Sequence, residues 1–239
     1  MKNLKILRKG VFVTGTDTGV GKTIVTGLLG RFLDEKGYRV ITQKWIQTGS
    51  RNFPHDITEH LKLMGRIRED IREHLPYISS YVLKFASSPH LAARLEKRKI
   101  RVDKIKADFK VLQEQFDFVI VEGIGGVLVP FNKKRLVIDV ARELKMPVII
   151  VVGNKLGAIN HTLLAIEAVR RRGLEIVGVI FNNLSKKGNK IILEDNLKII
   201  KKISKEKVLG SLPYSKNKAL LYPAFKPAGN KILRNLISS

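Results

Sequence analysis

The chain has 239 residues, no cysteine, and 45 Lys and Arg against 21 Asp and Glu, a formal net charge of +24. Disulfides and thiolate zinc sites are therefore excluded, and a 44% hydrophobic content excludes a chain that is disordered throughout. No stretch reaches the roughly 18 apolar residues of a membrane span, and the basic N-terminus at 1–9 leads into a short apolar run without a signal-peptide pattern, so a cytoplasmic protein with no membrane partner is expected.

In chain order, a β-branched run predicts a strand over 11–14, followed by a helix over 22–35 and a strand over 39–42. Helices are predicted over 55–64, 89–96 and 103–115, a strand over 118–121, a helix over 136–144 and a strand over 148–152. A helix over 159–172, a strand over 176–181, a helix over 189–203 and a strand over 208–209 complete the pattern. Gly37 and Gly173 stand just past two of these helices, where a left-handed cap is common. Apolar runs without alternation suit strands buried on both faces. Strands alternating with helices imply right-handed crossovers, so the expected fold is α/β, one domain over 1–239 with a mainly parallel sheet and helices on both faces. Ligands of such sheets bind at the carboxyl ends of the strands. The stretch 48–89 is the least regular.

The first strand runs into Gly15-Thr16-Asp17-Thr18-Gly19-Val20-Gly21-Lys22-Thr23 and then a helix, the setting that defines a phosphate-binding P-loop. Gly19 and Gly21 let backbone amides approach phosphate oxygens, and the helix N-terminus adds free amides and a positive dipole end. Lys22 can reach the β and γ phosphates, and the Thr23 hydroxyl can ligate Mg2+. The standard spacing would put a glycine where Thr16 stands; Gly15 is one residue earlier. Asp17 occupies the position at which partitioning and metal-insertion relatives of this motif carry a second lysine.

Taken with Lys44-Trp45-Ile46-Gln47-Thr48-Gly49-Ser50, Val121-Glu122-Gly123-Ile124-Gly125-Gly126, Lys155-Leu156-Gly157-Ala158-Ile159-Asn160-His161, Asn182-Asn183 and Leu209-Gly210-Ser211-Leu212-Pro213, the loop resembles the ordered motif set of the dethiobiotin synthetases, over about 11–215. The resemblance implies a P-loop NTPase-type fold and an enzyme that converts 7,8-diaminopelargonate, CO2 or bicarbonate, and ATP to dethiobiotin, ADP and phosphate, through a carbamate and a carbamic–phosphoric anhydride. It implies Lys44, Lys22 and Thr18 as catalytic residues, and Thr23, Asp56 and Glu122 as ligands of Mg2+, a cation that prefers hard oxygen donors. Gly19, Val20, Gly21, Lys22, Thr23, Glu122, Gly123, Ile124, Gly125, Asn182, Asn183, Pro213, Tyr214 and Ser215 would hold the nucleotide. Thr18, Lys44, Thr48, Gly125, Gly157, Ile159 and Asn160 would hold the diamine, with the 157–160 segment coming from the neighbouring subunit of a homodimer. From residue type alone, Lys44 and Glu122 could also be surface charges, and Asp56 and Asn160 plain helix caps. Trp45 stands where the family usually has proline, which is expected to alter the turn and the roof of the amine site.

A related reading, an amide-forming synthetase acting on a cobalt-corrin precursor, would need a glutamine-hydrolysing domain for which 239 residues without cysteine leave no room. A nucleotide-switched partition ATPase docking on nucleic acid through its charge is the alternative from another class. The charge, however, is spread along the chain, and its denser runs at 66–72 and 186–207 carry no aromatics for base stacking; nucleic acid is not the expected partner. The five histidines show no metal-ligand spacing.

Overall fold

Short runs of Val, Ile and Phe separated by amphipathic segments fold here as an open, wholly parallel sheet. A computed structural model describes residues 9–237, so the basic residues 1–8 lie outside the description. Its elements are β1 (Gly10–Gly15), α1 (Lys22–Glu35), β2 (Val40–Lys44), β3 (Ile46–Thr48), α2 (His55–Met64), α3 (Leu75–Ile78), β4 (Tyr81–Leu83), α4 (Pro89–Leu95) and α5 (Val102–Gln115). They continue with β5 (Phe118–Glu122), α6 (Val137–Glu143), β6 (Val148–Asn154), α7 (Ala158–Arg170), β7 (Ile176–Asn183), α8 (Lys190–Ser204), β8 (Val208–Leu212) and α9 (Leu221–Ile237). Short 3-10 turns lie at Arg68–His74 and Lys218–Leu220.

Six strands run in the order β2-β5-β1-β6-β7-β8, every neighbouring pair parallel. Successive side chains of a strand point to opposite faces. Val11, Val13, Phe118, Ile120, Ile149 and Val151 meet Leu28, Phe32, Phe225 and Ile232 of α1 and α9. Phe12, Val119, Val121, Ile150 and Val152 meet Ile105, Phe109, Ile138, Val140, Ile166 and Val169 of α5, α6 and α7. The expected helix layers on both faces of a parallel sheet are thus present.

Register decides the chemistry. Lys44 of β2 is the Cα partner of Glu122 of β5, and Val13 of β1 is another partner of Glu122. Lys44 is the last residue of β2, not a residue beyond it, because the strand starts and ends later than the apolar run 39–42 suggests. The irregular 48–89 stretch contains a second, two-stranded parallel sheet pairing Ile46 with Tyr81 and Thr48 with Leu83. Helix α9 has no counterpart among the predicted elements. Pro223 and Pro227 mask its helical spacing, yet Leu221, Phe225, Ala228, Ile232 and Leu236 form one buried stripe.

Helix α1 makes room for α2 through two glycines. A Cβ on Gly27 would lie 2.8 Å from Leu63 and 3.2 Å from the His60 Cα, and one on Gly30 would meet the Met64 sulfur at 2.7 Å. The close approach brings α2 over the carboxyl ends of β1, β2 and β5.

Candidate active site

The loop between β1 and α1 carries two glycines in left-handed conformation, Gly19 at φ +74° and Gly21 at φ +100°. At Gly21 space is also limiting, because a Cβ would fall 2.2 Å from the Asn182 amide nitrogen. Thr16, at the standard glycine position, donates its backbone amide to Val151 at 3.0 Å and has no positive φ, so glycine is not required there. Gly15 does the close packing instead, with Val20 Cγ2 at 2.7 Å from a notional Cβ.

Lys22 opens α1 and bends back over the loop, its ammonium donating to the Asp17 carbonyl at 2.7 Å. Burial, then the neighbouring Lys44 ammonium, push its pKa down to about 8 against the pull of Glu122 and Asp56. Lys44 rises beside it from β2, 3% exposed, with its Nζ 2.8 Å from Asp56 Oδ2 and 2.9 Å from Glu122 Oε1. The same ammonium donates to the Gly123 carbonyl at 2.8 Å. Burial opposes its charge, but Glu122 and Asp56 outweigh it and hold the pKa above the usual lysine value. Glu122 is 2% exposed; burial alone would raise its carboxyl, and Lys44 and His60 take it down to about 2.

The Thr23 hydroxyl lies 3.1 Å from Glu122 Oε1 and 3.5 Å from Asp56 Oδ1. Three hard oxygen donors therefore converge, and a cation, the Lys44 ammonium, already bridges the two carboxylates. That donor set fits Mg2+, which takes one or two carboxylates with phosphates and waters. Among the described residues no group of three or more His, Cys, Asp or Glu is placed to hold a metal ion by itself.

A cleft of about 810 Å3 opens above this floor, lined by Thr18, Lys22, Thr23, Lys44, Thr48, Asp56, Glu122, Ile124 and Gly125. Asp56 is the second residue of α2 and forms no cap; Pro54 stands at that position without a side-chain bond. Ser87, Ser88 and Pro89 border the cleft, whereas His90 does not. Tyr214 and Ser215 border a separate cavity of about 680 Å3 with Leu184, Lys186 and Lys187. Asn182 is buried and its amide donates to the Val20 carbonyl at 3.0 Å, tying β7 to the phosphate loop. Asn183 accepts from Asn154 at 2.9 Å. Pro213 is exposed. Gly157, at φ +84°, precedes α7; neither it nor Ile159 and Asn160 borders the cleft. Asn160 is the third residue of that helix, so it is not its cap.

Trp45, which stands where the family usually has proline, lies in the core: it is 2% exposed, stacked on Phe12 with centroids 5.3 Å apart, its indole N–H bound to Gln43 at 2.9 Å. The site also holds side chains that motif reading passes over. His60 Nε2 lies 2.7 Å from Glu122 Oε2, and Lys218 reaches from the C-terminal part of the chain to pair with Glu59 at the edge of the cleft. The clue to His60 is its place one helical turn after Asp56, between the apolar Ile57 and Leu61. Lys218 carries no local clue.

A parallel sheet with a glycine loop, Lys22 and Thr23 at the end of its central strand defines a P-loop nucleotide-binding protein, and a family model described as an AAA domain matches residues 9–218. A curated ATP-dependent dethiobiotin synthetase from Haemophilus influenzae is 42% identical over 176 residues, 73% of this chain and 91% of the relative. Those from Chlorobaculum tepidum and Clostridium perfringens are 44% and 35% identical over 172 and 215 residues, covering 71% and 87% of this chain and 71% and 91% of the relatives. The chain belongs to the ATP-dependent dethiobiotin synthetase family, ligases of biotin biosynthesis. Among solved structures, the pNOB8 ParA protein bound to nonspecific DNA superposes with a TM-score of 0.61 at 13% identity, over 98% of this chain and all of that one. Cobyrinic acid a,c-diamide synthase from Mycobacterium smegmatis gives 0.58 at 19%, over 95% of each chain; at such identities the likeness is one of fold. No helix among the described residues is long and apolar enough to cross a membrane.

Proposed function

We propose that the protein closes the ureido ring of dethiobiotin, using 7,8-diaminopelargonate, CO2 or bicarbonate, and ATP. One amine of the diamine takes up CO2 as a carbamate. A carbamate oxygen attacks the γ-phosphorus and ADP leaves. The second amine then attacks the carbonyl carbon of the resulting anhydride, and phosphate departs. The observation that carries this reading is the second buried lysine: Lys44 stands beside Lys22 on the floor of a cleft large enough for nucleotide and a small co-substrate.

Phosphoryl transfer needs alignment and charge neutralisation more than covalent help. Lys22 and the amides of 19–23 hold the β and γ phosphates. Lys44 steadies the carbamate and the migrating phosphoryl group, and Thr18 and Thr48 orient the reacting amines by hydroxyl contacts. Thr23, Asp56 and Glu122 would hold Mg2+, which would neutralise phosphate charge. Amides of Gly123, Ile124 and Gly125 add donors around the transferred group. Asn182, Asn183, Pro213, Tyr214 and Ser215 form the base and ribose end; the cavity beside Tyr214 and Ser215 supports this. The Gly157, Ile159 and Asn160 segment, outside its own cleft, serves the diamine carboxylate of a neighbouring subunit, so the working unit is a cytoplasmic homodimer.

ADP release measured with diamine and bicarbonate omitted in turn tests the reading; turnover is expected only with both. Lys44→Ala should lower kcat by about 100- to 1,000-fold, the usual loss for a group aimed at developing charge. Full activity in that variant would overturn the assignment.

A further inference from the structure

His60 is fully buried on α2 and belongs to none of the motifs that mark the family resemblance. Its Nε2 lies 2.7 Å from Glu122 Oε2. An ionised carboxylate only accepts hydrogen bonds, so Nε2 carries a proton and donates it to Glu122. The other ring nitrogen, Nδ1, is buried and has no partner among the described residues. A polar ring held this way, with one nitrogen left without a bond, is a cost to the fold. Its one hydrogen bond is to an acid that the proposed function needs.

That bond divides the work of the carboxylate. Oε2 is taken by His60, while Oε1 alone faces both Lys44, at 2.9 Å, and Thr23, at 3.1 Å. Without a donor on Oε2, a buried glutamate with three side-chain torsions could swing so that both oxygens meet the Lys44 ammonium, turning away from Thr23. We propose that His60 is a positioning residue that fixes the Glu122 carboxylate with Oε1 towards Thr23, the orientation in which those two residues would both be available to hold a divalent cation. The inference rests on the metal ligands assigned under Proposed function. Helix α2 suits this role, because Asp56 and His60 lie four residues apart on one face and deliver a carboxylate together with the donor that orients another. Gly27 of α1 allows the approach, because any side chain there would press on the His60 backbone.

The test uses Mn2+ as the probe, read by the loss of its free EPR signal, with the full-length protein and ADP. Groups that orient a metal ligand are typically worth about 10- to 100-fold in metal affinity, and His60→Leu should weaken Mn2+ binding by that factor. ADP affinity in EDTA should stay within about twofold, because the phosphate loop is untouched. His60→Gln, whose amide can put an N–H near the position of Nε2, should recover most of the loss. Equal Mn2+ affinity in His60→Leu and wild type would overturn the inference, as would equal losses of Mn2+ and metal-free ADP binding, or no recovery in His60→Gln. Wild-type protein that took up no Mn2+ with ADP would instead overturn the metal assignment on which the inference stands. Should His60→Leu fail to fold, 15N-histidine NMR of the wild-type protein decides: a slowly exchanging Nε2–H signal that shifts when Mg2+ joins ADP is expected, and its absence overturns the inference.

Discussion

Replacing Lys44 by Met exposes the electrostatic arrangement of the floor most directly. The substitution keeps the length of the side chain and removes its charge, leaving Glu122 at 2% exposure without its nearest cation and Asp56 without its 2.8 Å partner. Removing one member of a buried ion pair typically costs about 3–5 kcal/mol, because the remaining charge is desolvated and unmatched. For a protein of this size that corresponds to a fall of about 6–20 °C in Tm. The pH dependence gives an independent magnitude. Glu122 is held at about 2 in place of the usual 4.5, so its folded environment, pairing net of burial, contributes about 3 kcal/mol above pH 4.5, lost as the pH falls towards 2. In Lys44→Met burial raises the Glu122 carboxyl, and the acid limb of unfolding should move to higher pH. Urea unfolding of the nucleotide-free protein can be followed through Trp45, the only tryptophan, which sits in the core next to the altered residue. Adding Glu122→Gln to Lys44→Met removes the stranded charge and should recover at least half of the loss. A single variant within about 1 kcal/mol of wild type, or a double variant no more stable than the sum of the two single effects, would refute the reasoning.

Two further outcomes follow from the phosphate loop. Lys22 titrates near 8, so ADP affinity of the metal-free protein should weaken as pH rises through 8, and Lys22→Met, already weak, should lose that dependence; calorimetry across roughly pH 6.5–9.5, a window centred on that pKa, would read both. Because the folded-state pKa lies below the usual 10.5, the Lys22 contribution to stability improves between 8 and 10.5 even as binding fails. Gly21→Ala combines a φ of +100° with a Cβ 2.2 Å from the Asn182 amide; a loss of about 1–3 kcal/mol and of ADP binding is expected in denaturation and calorimetric assays.

Periodicity and glycine spacing are enough to read the sheet, the helix layers and the loop around Lys22, because each depends on local sequence. What escapes is long-range. Lys44 meets Glu122 through strand register across 78 positions, and neither apolar run announces that both acid and lysine are the closing residues of neighbouring strands. His60 is hidden for a similar reason: a lone histidine among Ile57, Leu61 and Leu63 reads as core until α2 is laid over β5. Trp45 illustrates what alternation does to neighbours: along an extended chain adjacent side chains go to opposite sides, so Lys44 reaches the cleft while the indole of Trp45 goes into the core. Helix α9 is missed because Pro227 in its interior is a residue that ordinarily ends helices.

The charge balance of the floor bears on how nucleotide enters. Lys22 and Lys44 face Asp56 and Glu122, so the four groups at the base of the cleft cancel, and the +24 of the chain lies entirely elsewhere. A triphosphate arriving alone would add several negative charges to a buried, already neutral site, where unmatched charge is expensive. Entry together with a divalent cation would remove most of that cost, and the two carboxylates that would receive it, Asp56 and Glu122, are the ones now shared with Lys44. The surplus of surface lysine and arginine plays a different part. It can raise the encounter rate with anions, but exposed charges more than about 8 Å away are screened at physiological salt. They cannot substitute for a charge inside the cleft, so the proposal that Glu122 and its partners receive a cation does not depend on the basicity of the chain.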